Sequence, residues 1–203
     1  MRIVRTVSML LLLCALTISS KAQSPTQNYV MSKEVLDVDG THAITTVTYY
    51  DGLGNPVETA TNGLGGTGKY AYTLQEHDAL GREKQSWLPG TQKDGCSFVA
   101  PSELSSSLIT FHKDRNPYSV NSYDALDRQV STLGAGESWH TAKKSVEQRY
   151  GSNEANSIKR YQVSGSGSLV ENGYYAANSL SMLEVTDEDG KTKQTFSDLF
   201  GNK

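Results

Sequence analysis

The sequence predicts a mainly β protein made of successive antiparallel hairpins, with one or two short inserted helices. Three observations carry this: 11 Tyr against 4 Phe and 2 Trp, 18 Gly in 203 residues, and short alternating stretches separated by Asp-x-x-Gly turns. Aromatic and β-branched side chains suit a pleated surface, and Gly supplies the backbone of tight turns.

Residues 1–22 predict a cleavable export signal. Arg2 and Arg5 precede an apolar run from Met9 to Leu16, and Ser20 and Ala22 place small side chains at −3 and −1 of a cut after Ala22. The run is too short to cross a hydrocarbon layer of about 30 Å, so no transmembrane span is expected. The predicted destination is secreted, periplasmic or cell-surface. Cys14 follows an apolar run as lipidated cysteines do, but Leu12 and Leu13 stand where that pattern has small residues. Removal of the signal leaves 181 residues with a net charge of −6 and Cys96 as the remaining cysteine. That charge excludes a nucleic-acid partner held by phosphate neutralisation. Cys96, in Asp94-Gly95-Cys96-Ser97-Phe98, has no neighbouring base and reads as a partly buried small hydrophobe.

Residues 23–45 read as a lead-in strand and linker, and 46–203 as the repeat region. Tyr50-Asp51-Gly52-Leu53-Gly54-Asn55 is echoed by His77-Asp78-Ala79-Leu80-Gly81-Arg82, by Tyr123-Asp124-Ala125-Leu126-Asp127-Arg128, and more weakly by Thr186-Asp187-Glu188-Asp189-Gly190-Lys191. A fifth copy, Ser197-Asp198-Leu199-Phe200-Gly201-Asn202, stands at the end of the sequence, which reads as truncated in its last repeat. Each copy predicts a hairpin tip: the Asp side chain accepts backbone N–H bonds, and Gly three residues later takes positive φ. The predicted structural positions are therefore Asp51 and Gly54, Asp78 and Gly81, Asp124 and Asp127, Asp187 and Gly190, and Asp198 and Gly201. Asp127 replaces Gly in the third copy, and Asp is among the few side chains tolerated at positive φ. Leu53, Leu80, Leu126 and Phe200 precede the Gly position and are expected to pack on the neighbouring hairpin.

Insertions are expected at about 95–117 and 135–180. Leu104, Leu108 and Ile109 mark one face of a short helix within 100–109. Trp139, Ala142, Val146 and Tyr150 recur at near-helical spacing across 138–150, with Gly151 as a stop. Residues 160–185 return to strand-like text, interrupted at 164–168 by Ser-Gly-Ser-Gly-Ser, which reads as a hairpin loop.

The Tyr-Asp tips at Tyr50-Asp51 and Tyr123-Asp124, with the His77-Asp78 variant, resemble the YD repeats of the Rhs, teneurin and insecticidal toxin-complex family. Long members of that family wind many hairpins into a hollow shell around a C-terminal effector. The resemblance implies an exported N-terminal portion of such a shell, whose partner is the remainder of a larger YD-repeat protein or its effector cargo.

Motifs for chemistry are weak by comparison. The 63–70 stretch, Gly-Leu-Gly-Gly-Thr-Gly-Lys-Tyr, nearly matches a phosphate loop, but Tyr70 replaces the magnesium-binding hydroxyl and strand-like text follows where a helix is needed. Asp37-Val38-Asp39-Gly40 and Asp187-Glu188-Asp189-Gly190 resemble part of a calcium loop, yet the twelfth position would be Thr46 or Phe196. His42, His77, His112 and His140 lie in four separate segments. No catalytic, cofactor-binding or metal-binding residues are expected, and no cofactor. The predicted role is a non-enzymatic structural and interaction one. The alternative is a cell-surface module for glycans using Tyr49, Tyr50, Tyr70, Tyr72, Tyr174, Tyr175, Trp87 and Trp139, since aromatic rings stack on sugar faces. A carboxylate-based hydrolase is the third possibility.

Overall fold

The computed structural model describes residues 26–62, 69–91 and 95–202. The expected export signal and residues 63–68 of the glycine-rich stretch lie outside them. The described residues form mainly antiparallel β structure with two short helices. Strands β1 (Asn28–Val35), β2 (Ala43–Tyr50), β3 (Pro56–Asn62), β4 (Tyr70–His77) and β5 (Glu83–Trp87) pair in chain order. The sheet continues through β7 (Tyr118–Tyr123), β8 (Gln129–Leu133), β9 (Ser145–Ser152), β12 (Ser181–Thr186) and β13 (Thr192–Ser197), while β6 (Gly90–Thr91) pairs with β4. Between β9 and β12 the chain makes a separate two-stranded hairpin, β10 (Lys159–Val163) and β11 (Leu169–Tyr174).

Alternation in β2, β3 and β4 sends Val47, Tyr49, Ala60, Tyr72 and Leu74 to one face, where they are buried. The opposite face carries hydroxyls, with Thr46 against Thr61 at 3.2 Å and Thr48 against Thr59 at 3.4 Å. The apolar face is covered by α1 (Pro101–His112). Pro101 opens that helix, where the missing N–H costs nothing, and Lys113 closes it in a left-handed conformation with φ +53°. Leu104 and Leu108, four apart, reach the core fully buried, whereas Ile109 lies at the exposed flank of the helix. Residues 95–99 lie across the sheet beside α1, and Cys96 is buried in the same cluster.

The helix expected over 138–150 is shorter. Helix α2 spans Glu137–Ala142; at Lys143 φ becomes +52°, and the N–H of Lys144 closes on the carbonyl of Trp139 at 3.2 Å. Residues 145–152 are strand β9 of the main sheet. A spacing of four is even, so Val146 and Tyr150 share a face of a strand as readily as of a helix. Gly151 accordingly sits inside β9 and stops nothing.

The aromatic residues divide sharply. Tyr49, Tyr72 and Trp87 are core residues, so those three cannot serve as an exposed sugar platform. Trp87 stacks on Tyr118 with centroids 4.6 Å apart, and Tyr118 meets the edge of His140 at 5.0 Å.

Candidate functional site

The tips share one bonding scheme. In the first, Gly54 N–H donates to the Asp51 carbonyl at 3.2 Å and Asp51 N–H donates to the Asn55 carbonyl at 2.9 Å. Oδ1 of Asp51 accepts the N–H groups of Leu53 and Asn55, each at 2.8 Å, and Oδ2 accepts Nδ2 of Asn55 at 2.9 Å. Asp78 does the same for Leu80 and Arg82, and Asp124 for Leu126 and Arg128. Asp187 binds the N–H groups of Asp189 and Lys191, and Asp198 those of Phe200 and Asn202. The fourth residue is left-handed throughout: φ is +89° at Gly54, +80° at Gly81, +81° at Gly190, +82° at Gly201 and +61° at Asp127. The side chain following that residue holds the Asp carboxyl below its ordinary range, through Asn55 on Asp51, Arg82 on Asp78, Arg128 on Asp124 and Asn202 on Asp198.

Strand direction sorts these tips. The turns after β2, β4 and β7 lie side by side at one end of the sheet. The Asp187 turn lies at the opposite end, where Lys144 reaches Asp189 at 3.1 Å. Each of the three adjacent tips is followed by a bulge that leaves one extra residue in the return strand, Val57, Lys84 or Val130. The β12–β13 pairing beside Asp187 is regular. A bulge sharpens the local twist and re-aims the turn.

These adjacent tips are joined laterally by the residue after the left-handed position. The Asn55 side chain lies 3.5 Å from where a Cβ on Gly81 would stand. Arg82 clasps its own Asp78 at 2.7 Å, reaches across to Oδ1 of Asp127 at 2.9 Å and the Asp124 carbonyl at 3.3 Å, and lies 4.8 Å over the ring of Tyr123. Tyr123 in turn donates from its hydroxyl to the Glu83 carbonyl at 2.9 Å. The next step repeats the arrangement: Arg128 clasps Asp124 and lies 4.3 Å over Tyr150, whose hydroxyl donates to the Gln129 carbonyl at 3.1 Å. Tyr150 thus occupies the tyrosine position of a repeat that has no Asp behind it. Arg82→Ala should lower the melting temperature by roughly 3–5 °C, and Arg82→Lys should recover little of it, because one ammonium cannot reach all three groups. Thermal denaturation followed by circular dichroism checks this against Lys159→Ala, which breaks an exposed pair with Glu171 and should be nearly silent.

The apolar residues of the tips behave differently from expectation. Leu53, Leu80, Leu126 and Phe200 are 84%, 73%, 71% and 89% exposed and do not pack on neighbouring hairpins. The lateral contact is polar, made two residues later by Asn55 and Arg82, so the apolar tip side chains project from the sheet.

Two further tips stand outside the five copies: the hairpin loop read at 164–168, which is the β10–β11 turn, and one at Asp37 that went unread in the sequence. Ser164 replaces Asp at the head of the β10–β11 turn: Gly167 N–H donates to its carbonyl at 2.9 Å, Ser168 N–H to its Oγ at 3.2 Å, and Gly167 has φ +81°. Asp37-Val38-Asp39-Gly40 is the β1–β2 tip, with Gly40 N–H on the Asp37 carbonyl at 3.3 Å. Hydrogen bonds from the side chains of Thr41 and His42 bring the Asp37 carboxyl down to about 2. The signal in both was the spacing of the first and fourth turn residues.

Among the described residues no group of three His, Cys, Asp or Glu could hold a metal, and no helix is long and apolar enough to cross a membrane. Of the shallow cavities, one of about 330 Å³ lies between the base of the β10–β11 hairpin and the Asp198 turn, lined by Tyr161, Tyr175, Phe196, Lys159 and Asn202. A family model described as a domain of unknown function, DUF6443, matches residues 20–152, ending on the last residue of β9. No curated protein and no solved structure matches the chain.

Proposed function

We propose that this chain, which belongs to the DUF6443 family, is a non-enzymatic, exported structural and interaction module: a segment of a YD-repeat shell that surrounds or presents an effector. The observation that carries this reading is the lateral contact between adjacent tips, in which Arg82 of the Asp78 tip bonds Asp127 and the Asp124 carbonyl of the next and the Asn55 side chain abuts Gly81. Such a device extends a sheet hairpin by hairpin, and it commits the tip carboxylates to backbone N–H groups, leaving them poor candidates for acid–base chemistry. Both outer strands, β1 and β13, pair on one side within the described sheet, and an exposed strand edge recruits further strands.

Size-exclusion chromatography and limited proteolysis of residues 23–203 test the proposal. Association of the isolated segment, with cleavage concentrated in its outer strands, is the expected result. A compact monomer resistant to protease would overturn it, as would turnover in a screen of polysaccharide substrates. The cleft lined by Tyr161, Tyr175 and Phe196 favours glycan binding as the second reading. A glycan array without signal disposes of that one.

A further inference from the structure

Three polar side chains from three neighbouring strands converge on the backbone of one segment, residues 95–99. Tyr49 of β2 donates from its hydroxyl to the Cys96 carbonyl at 2.7 Å. Tyr72 of β4 donates to the carbonyls of Gly95 and Ser97, each at 3.0 Å. Between them Glu58 of β3, 1% exposed, accepts the Val99 N–H at 3.1 Å on Oε2 and 3.3 Å on Oε1. From Val99 the chain passes through Ala100 directly into α1, whose Leu104 and Leu108 complete the cover over the apolar face. The same three side chains therefore fix the start of the helix that closes the core.

We propose that Glu58 makes residues 95–100 and α1 a proton-operated clasp, in which the neutral carboxyl holds the segment on the sheet and the ionised carboxylate releases it, baring the apolar face of β2 to β5. The groups facing Glu58 show why it alone is the switch. Tyr49 and Tyr72 flank it, Cys96 lies in the segment above, and α1 presents leucines; the buried cluster contains no cationic side chain. Burial among the same groups pushes Tyr49 up to about 12 and Tyr72 higher still, so neither hydroxyl loses its proton in the neutral range. Burial also pushes Glu58 up to about 7 from an ordinary 4.5, opposed by the Val99 N–H. The open segment leaves Glu58 in water with its ordinary affinity for the proton. Closure is therefore strongest below pH 4.5, weakens as pH rises toward 7, and levels off above it. The ratio of closed to open segment falls on the order of 10²-fold across that window.

Cys96, buried in the segment, reports the opening through alkylation of its thiol. The experiment compares the full-length chain with Glu58→Gln, which is permanently neutral, at each pH, so that ionisation of the thiol cancels, and reads Cys96 by peptide mass mapping. The ratio of wild-type to variant labelling rates should rise at least tenfold from pH 5 to pH 8, with most of the rise complete by pH 7. Tyr72→Phe should label faster at every pH while keeping the wild-type pH dependence. A ratio that stays constant with pH would overturn the proposal. If Glu58→Gln does not fold, the Val99 amide resonance of the wild-type chain decides: a sigmoidal shift centred near pH 7 supports the clasp, and a flat profile refutes it.

Discussion

Replacing Leu108 with Ala should destabilise the chain by about 3 kcal/mol. Leu108 is fully buried and meets β6 so closely that a Cβ on Gly90 would stand 2.6 Å from its Cδ2. It joins Leu104 in covering Tyr49, Tyr72 and Leu74, and the sheet below is fixed by ladder hydrogen bonds and cannot collapse into the space. For a domain of this size the loss lowers the melting temperature by roughly 6–12 °C. Guanidinium denaturation followed by tryptophan fluorescence measures it. Leu126→Ala is the control: the same atoms are removed from an exposed tip, and the change should stay within about 0.5 kcal/mol. Equal costs at the two leucines would mean that the tips are buried against something in solution.

Asn153→Ala should cost about 2 kcal/mol, concentrated at the root of the β10–β11 hairpin. Asn153 is nearly inaccessible, and its side chain joins the end of β9 to the start of β12. Its Oδ1 accepts the Leu180 N–H at 2.9 Å, and its Nδ2 donates to the carbonyls of Ala176 at 2.8 Å and Glu154 at 3.3 Å. Its own backbone N–H and carbonyl bind Leu180 and Asn178. Truncation leaves buried donors and acceptors without partners, which costs more than the bonds themselves. The expected readout is faster proteolysis between residues 154 and 180 with the β2–β5 amides still protected. Asn153→Asp keeps the acceptor but turns a second oxygen toward the Ala176 carbonyl, and should be no milder. A uniform loss of protection across the sheet would place Asn153 in the global core instead.

How much of this was legible depends on the range of the interaction. Turn chemistry is local, so Asp51, Asp78 and Asp124 with their left-handed partners could be read from four consecutive residues, including the tolerance of Asp127. Strand text was equally local, and the meander follows from it. The role of Arg82 was not legible, because its partners Tyr123 and Asp127 lie more than forty residues downstream and their approach depends on register. The same limit hid Glu58 and Tyr72: in an alternating strand both read as ordinary pleat positions, and only the path of residues 95–99 over the sheet gives them a shared target. The helical reading of 138–150 failed on periodicity, since a spacing of four cannot separate strand from helix until the left-handed turn at Lys143 is known.

The order of the strands also determines how the sheet is assembled in time. Most neighbours in the sheet are consecutive in the chain, and the two exceptions in its main path, β5 with β7 and β9 with β12, each close over an inserted excursion. Hairpins between consecutive strands form within microseconds, whereas each longer closure adds an entropic barrier that grows only logarithmically with the inserted length. The main sheet therefore divides into three blocks of consecutive strands, β1 to β5, β7 to β9, and β12 with β13, and the β10–β11 hairpin is a fourth outside it. The first block carries the apolar face that the excursion before β7 folds back to cover through Cys96, Leu104 and Leu108, so that excursion belongs to the first block's core, whereas lengthening the one between β9 and β12 delays docking of the last hairpin without altering the blocks it joins.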